Sequence, residues 1–226
     1  MTRAAPEVPS QESYAEMYDY CYDFLTRNGF HARYGSVNFS RRPEETGTSA
    51  YFEGRLRHGF QYIGLGNYAS SLCQEQWWFA PYHVDQWMSD VDSRVALLRE
   101  GASPEERLSA HFPVGDCYSL LMEERAAKHV LLSLSFGVID ARTFMDAFAV
   151  SLESVFGETL KYACEEGLLV KSLSKEGHVQ YSMPPGSFRW VNQLRSLFYT
   201  DRAMGWLRAI KKDGSRMYAH KRTAKR

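Results

Sequence analysis

Residues 60–71 read FQYIGLGNYASS, an apolar run that enters Gly64 and Gly66 and leaves through small polar side chains. An apolar stretch ending in glycines predicts a strand that closes in a tight turn. Three uses of such a turn are open: a phosphate cradle, a cofactor contact, or an ordinary strand end packed against the next helix. The phosphate cradle is the weakest, because no lysine follows the glycines as the P-loop pattern requires.

Upstream, Ser13 and Glu16 have capping-box spacing, and Tyr14, Met17, Tyr18, Cys21, Phe24 and Leu25 recur at helical spacing. Gly29 is placed to end that helix. FHARYGSVNFS (30–40) alternates and reads as a strand, and the polar segment 41–59 reads as a long loop. Downstream, helices are expected over 81–101 and 117–137. The second carries a stripe of Leu120, Leu121, Ala127, Val130, Leu131 and Leu134. A further helix follows an Asp140 cap, another runs from Ser151 to Gly167, and residues 168–184 read as two short strands about a Glu-Gly turn. A last amphipathic helix starts near Gly186. The predicted fold class is α/β to about residue 80, a fragment of a partial barrel. It is followed by a mainly helical, winged-helix-like domain over 81–210 and a basic tail over 211–226.

At 226 residues the chain can bury a sizeable core. Lys plus Arg equals Asp plus Glu at 27 each, so no global charge points to nucleic acid or to an acidic substrate. No apolar run reaches the length of a membrane span, and the first residues, MTRAAPEVPSQ, lack the apolar centre of a signal peptide. A cytoplasmic location is therefore expected. Cys21, Cys73, Cys117 and Cys164 are more than forty residues apart, which gives no C-x-x-C or C-x-x-x-C spacing to begin a metal site. They are expected as reduced, mostly buried thiols.

Four segments in order, MYDYCYDFLTRNGFHARYGSVNFSRRP, FQYIGLGNYASS, EEGLLV and SMPPG, resemble the C-terminal half of a known family. The chain is similar to the oxygen-independent coproporphyrinogen oxidase branch of the radical S-adenosylmethionine enzymes. Tyr34, Asn38 and Phe39 match a strand of the form YEISNFAR, with Gly35 in place of its glutamate. Gly64, Gly66, Ala69 and Ser71 match a turn of the form G-x-G-x-G-A-H-S, with Tyr68 for the third glycine and Ser70 for the histidine. The resemblance implies that Tyr62, Gly64, Gly66, Asn67, Ser70 and Ser71 contact S-adenosylmethionine, and that Tyr34 and Asn38 contact a small-molecule substrate. It also implies an iron–sulfur cluster held by C-x-x-x-C-x-x-C, which this chain does not supply. A truncated or split enzyme component follows, one that pairs with a cluster-bearing subunit or with its own copy and is not active alone. No catalytic residue is singled out. The alternative is a non-catalytic binding or regulatory protein that uses the winged-helix-like part and the basic tail.

Other features carry blander expectations beside functional ones. Trp77, Trp78, Phe79, Tyr82 and His83 could wall a flat substrate, and core packing explains them as well. His83 and Asp85 could form an acid–base pair or simply begin a helix. Glu123, Glu124, Arg125 and Lys128 read as a solvated helix face. The tail beyond Lys211 reads as solvated rather than nucleic-acid binding.

Overall fold

The computed structural model describes residues 9–45, 51, 54–55, 61–98, 101–105 and 115–205. The basic tail and Phe60 lie outside them. Packing divides the chain into two units, one of residues 60–125 and one made from residues 1–59 together with 126–226.

The larger unit begins with helix α1, Gln11–Arg27. Its cap is Ser10, not Ser13: the Ser10 Oγ accepts from the Ser13 amide at 3.1 Å, so Ser13 already lies in the first turn. Hydroxyl caps satisfy one of the four orphan donors at a helix start, and several serines near that start compete for the role. At the other end Gly29, with φ of +79°, lets the chain turn away. The inward face of α1 carries Ala15, Tyr18 and Tyr22, while Met17, Tyr20 and Phe24 point to solvent.

The expected strand over 30–40 is not a continuous strand. It makes two isolated bridges, His31 to Ser40 and Ser36 to Phe136, around a turn at Tyr34–Gly35. Gly35 has φ of +87°, and a Cβ there would sit 2.7 Å from the Met183 sulfur, so the break is built into the backbone.

Helix α3, Met122–Leu134, leads through Gly137 to β4, Val138–Asp140, then α4, Ala141–Phe148, and α5, Leu152–Glu165. The hairpin β5, Val170–Leu173, and β6, Val179–Ser182, follows as expected. The sheet order is β4-β6-β5, all antiparallel, with Ile139 opposite Tyr181 and Lys171 opposite Tyr181 on the other side. Asp140 caps α4 as anticipated, its Oδ1 accepting from the Thr143 amide at 2.7 Å. The core of this unit is Val130, Leu134, Ile139, Phe144, Leu152, Leu160, Leu169, Met183, Phe188, Leu194 and their neighbours. The expected last helix is broken: a 3-10 turn, Phe188–Trp190, runs into a short α6, Val191–Ser196, and residues 201–205 are helical again. The Gln11 side chain donates to the Arg189 carbonyl, and the Tyr18 ring lies 3.4 Å from that of Phe188, nearly parallel. Those contacts hold α1 to the end of the unit.

The smaller unit is a three-stranded antiparallel sheet, β1 Ser70–Cys73, β2 Gln76–Phe79 and β3 Asp116–Ser119, in the order β1-β2-β3. One helix, α2 Val84–Leu97, follows β2. In place of the strand expected through 60–66, the described residues 61–66 form an irregular segment that touches β1 once. The Tyr62 and Leu72 backbones exchange two hydrogen bonds, at 3.0 and 2.9 Å. At Gly64 the segment runs close to β1, where a Cβ would lie 2.3 Å from the Ser70 carbonyl oxygen, so only glycine can pass there. Residues 117–119, expected as the start of a helix, belong instead to β3, and α3 begins only at Met122. The fold thus mixes helices with small sheets. Both sheets are antiparallel, whereas a barrel of the family's type brings parallel neighbours together.

Candidate functional site

In a strand, alternate side chains face opposite sides of the sheet. On β2 that separates Trp78 from Trp77 and Phe79. Trp77 pairs with Leu72 and Tyr118 across the strands, and its ring lies 4.8 Å from Phe79. Trp78 pairs directly with Ser71, so the two share the opposite face. From α2, Trp87 and Val91 lie four residues apart on one side of the helix. With the turn Gly64–Gly66 they enclose a cavity of about 220 Å³ lined by Gly64, Leu65, Gly66, Ala69, Ser71, Trp78, Ala80, Trp87 and Val91.

The turn is held at several points. The Gly64 amide donates to the Ser71 Oγ at 3.0 Å, and Ser71 is buried. Gly66 has φ of +114°, which an L side chain resists. Tyr68 stands where the family pattern has glycine and takes the glycine-like conformation anyway, with φ of 54°. Such a backbone is costly for a bulky residue and persists only when its surroundings fix it. Here the Tyr68 amide donates to the Pro81 carbonyl at 3.0 Å, and its ring stacks on Phe79 and meets Tyr82 edge-on. Ala69 accepts from the Ala80 amide at 2.9 Å, which ties the end of the turn to the end of β2.

Of the residues expected to contact S-adenosylmethionine, Gly64, Gly66 and Ser71 line this cavity. Tyr62 is in the bridge to Leu72, Asn67 is exposed with its amide 3.5 Å from the Tyr82 carbonyl, and Ser70 is paired in β1 opposite Phe79. Tyr34 and Asn38, expected to meet substrate, belong to the other unit. The Tyr34 hydroxyl donates to the Asp19 Oδ1 at 2.5 Å and accepts from the Phe188 amide at 3.4 Å. Burial, reinforced by the Asp19 hydrogen bond, pushes the Tyr34 phenol up to about 12. Burial likewise raises Tyr18, whose hydroxyl donates to the Ser36 carbonyl at 2.8 Å. Asn38 accepts through its backbone carbonyl from the Ser36 Oγ at 2.8 Å.

Trp87 and Val91 in the lining were not anticipated, because the helical face that turns inward depends on what packs against it. Lys128 also differs from expectation. It is half-buried rather than solvated, and burial followed by the nearby Arg55 charge lowers its ammonium to about 8. Beside it His129 is buried edge-on to Phe144 and Phe148, and burial lowers its imidazole to about 4. Tyr82, His83 and Asp85 are exposed at the start of α2.

The thiols are more exposed than expected: Cys21, Cys73 and Cys117 face solvent, and Cys164 is intermediate. The Cys73 Sγ lies 2.7 Å from the Gln61 Oε1, and the Cys117 Sγ lies 3.4 Å from the Gln76 Oε1. Among the described residues no three His, Cys, Asp or Glu side chains are gathered as metal ligands. The donor set therefore does not fit a cubane cluster, which needs thiolates converging on one point. S-adenosylmethionine fits only in part. The cavity is smaller than the roughly 300–1,000 Å³ of sites that enclose a whole drug-sized ligand, and its lining has no charged side chain.

No helix among the described residues is long and apolar enough to cross a membrane. No family model and no curated protein matches the chain. Among solved structures it is similar to coproporphyrinogen III oxidase (HemN) from Escherichia coli, described as a radical SAM enzyme, at 14% identity and a TM-score of 0.51. The match covers 87% of this chain and 43% of that one, so the chain spans less than half the length of the enzyme it matches. At this identity the likeness is one of fold: the chain shares the fold of a part of that enzyme's chain.

Proposed function

We propose that the chain is a component of a radical S-adenosylmethionine enzyme similar to coproporphyrinogen oxidase. In this reading it contributes substrate or cofactor contacts from the segment Gly64–Ser71 while another polypeptide carries the iron–sulfur cluster. The observation that carries the reading is the fold likeness over 87% of the chain. Two features support it. The glycine turn singled out by sequence borders a cavity, and the cysteines are too scattered to hold a cluster themselves. The partial-barrel origin of residues 1–80 and a cytoplasmic setting, where thiols stay reduced, belong to the same proposal. So does association through the exposed side chains Ile63 and Leu65. Leu65 is 78% exposed, and an apolar side chain left in water beside an irregular edge favours pairing with another surface.

The test is association. The full chain should form a defined complex with a C-x-x-x-C-x-x-C protein encoded beside it, measured by sedimentation at micromolar concentration, and Leu65→Asp should weaken it tenfold or more. A chain that sediments as a monomer with every such protein, and binds no S-adenosylmethionine in the mixture, would remove the reading.

One arrangement favours a second reading. The order α3-β4-α4-α5-β5-β6, with β4 pairing to β6, supports the winged-helix-like reading of this part. A non-catalytic binding protein built on residues 81–210 with its basic tail would use that layout to recognise a partner.

A further inference from the structure

We infer that the cavity under the glycine turn takes an uncharged hydrocarbon group, a single aromatic ring or a branched aliphatic end, and not the adenine of S-adenosylmethionine. The inference rests on the reading that residues 64–71 face a ligand, and it assigns that ligand to the substrate side.

Size sets the first limit. An apolar cavity of about 150 Å³ accepts benzene, so about 220 Å³ accommodates one ring with a substituent and is too small for a whole S-adenosylmethionine. Chemistry sets the second. Leu65, Ala69, Ala80 and Val91 are wholly hydrocarbon, Trp78 and Trp87 add one indole N–H each, and Ser71 carries the one hydroxyl among the lining residues. Its hydroxyl already accepts from the Gly64 amide at 3.0 Å, which leaves it one proton to donate. Adenine brings several ring nitrogens and an exocyclic amine that lose their water on entry. Each polar atom left without a partner costs roughly tenfold or more in affinity. A hydrocarbon loses nothing of the kind, and two indoles give it flat walls. The site is also pre-shaped. Trp78 is fixed by its cross-strand pairing with Ser71, and the turn opposite is fixed by the Tyr68 and Ala69 backbone bonds.

The experiment uses the full chain labelled with 5-fluorotryptophan. Its five tryptophans give five fluorine resonances, and Trp78→Phe and Trp87→Phe assign the two that matter. Toluene and isobutylbenzene are titrated as the hydrocarbon probes, adenosine and S-adenosylmethionine as the alternatives. Toluene should shift the Trp78 and Trp87 resonances saturably, and Val91→Phe, which fills the space, should weaken that response tenfold or more. If Val91→Phe does not fold, Val91→Ala replaces it and should favour isobutylbenzene over toluene by several-fold. Adenosine or S-adenosylmethionine displacing toluene from the same two resonances would overturn the inference, as would the absence of any saturable toluene shift. Hydrocarbon binding in a chain that joins no cluster-bearing partner would leave the ligand class intact and remove only the enzyme-component reading.

Discussion

Phe188→Ala tests what holds the first helix to the rest of its unit. The Phe188 side chain is 2% exposed and lies between Tyr18, with ring centroids 3.4 Å apart and planes 7° from parallel, and Tyr14 at 5.6 Å. A nearly face-to-face pair gains little from ring quadrupoles, which favour offset or edge-on geometry. Burial therefore sets the magnitude. A phenyl group that buries about 150–250 Å² at ~25 cal/mol/Å² gives about 4–6 kcal/mol as an upper figure. Phe→Ala changes in cores cost about 3–5 kcal/mol. The variant should lose about that much stability in urea titrations, with the midpoint of thermal unfolding lowered by about 6–15 °C for a chain of this length. Amide exchange should accelerate most in α1, around Tyr14 and Tyr18, since their rings meet the lost ring. Phe188→Leu should cost far less because it keeps most of the volume. A loss below about 1 kcal/mol for Phe188→Ala, with α1 still protected, would show that α1 is not anchored by this contact.

Three further outcomes follow from the same structure. His129 has its folded pKa lowered to about 4 by burial, against about 6.5 unfolded, so the unfolded chain takes the proton first as pH falls. Stability should be complete above pH 6.5 and decline toward pH 4 by roughly 3 kcal/mol, and His129→Leu should flatten that slope in acid titrations followed by circular dichroism. Gly137→Ala should destabilise by more than about 1 kcal/mol, because φ is +75° and the new Cβ would strike the Tyr34 carbonyl. A variant as stable as the parent would mean that the bend relaxes freely. Anaerobic reconstitution of the chain alone should yield no stoichiometric four-iron cluster, read by iron content and visible absorption. About four irons per chain would show that the scattered thiols converge after all.

Legibility in the sequence followed how local each determinant is. The hairpin 170–182 was readable because alternation and a turn residue sit within a dozen positions, and the Asp140 cap because its bond reaches only three residues ahead. β3 was not readable. Its four residues, Asp116–Ser119, are strand because Trp77 and Trp78 lie opposite Tyr118 and Cys117, a condition set forty residues away. The stretch 60–66 has the composition of a strand, yet residues 61–66 pair with β1 only at Tyr62 and pass it so closely at Gly64 that a side chain would not fit. Lys128 was misread because charged neighbours on a helix suggest a wet face, while its own position turns toward Arg55 and the buried side. For the cavity, the glycines and Ser71 were visible as a pattern, but the two α2 residues that complete it were not. Tyr34 and Asn38 drew attention by motif and lie in the other unit, Tyr34 within its tyrosine cluster and Asn38 accepting from the Ser36 Oγ through its backbone carbonyl.

The bond from Gln11 to Arg189 spans 178 positions of sequence, and Tyr18 rests on Phe188 beside it. On the ribosome, α1 is made well before its seat, which lies about 160 residues later in the chain. At synthesis rates of about 5–20 residues per second, the helix waits roughly 10–30 seconds with Tyr18 and Tyr22 facing water before Phe188 leaves the exit tunnel. Throughout that interval Met17, Tyr20 and Phe24 are exposed on its other side as well. The nascent chain therefore presents an unsatisfied aromatic helix to whatever binds such segments in the cell, and a transcript truncated shortly before codon 188 would release a protein that keeps it exposed for good.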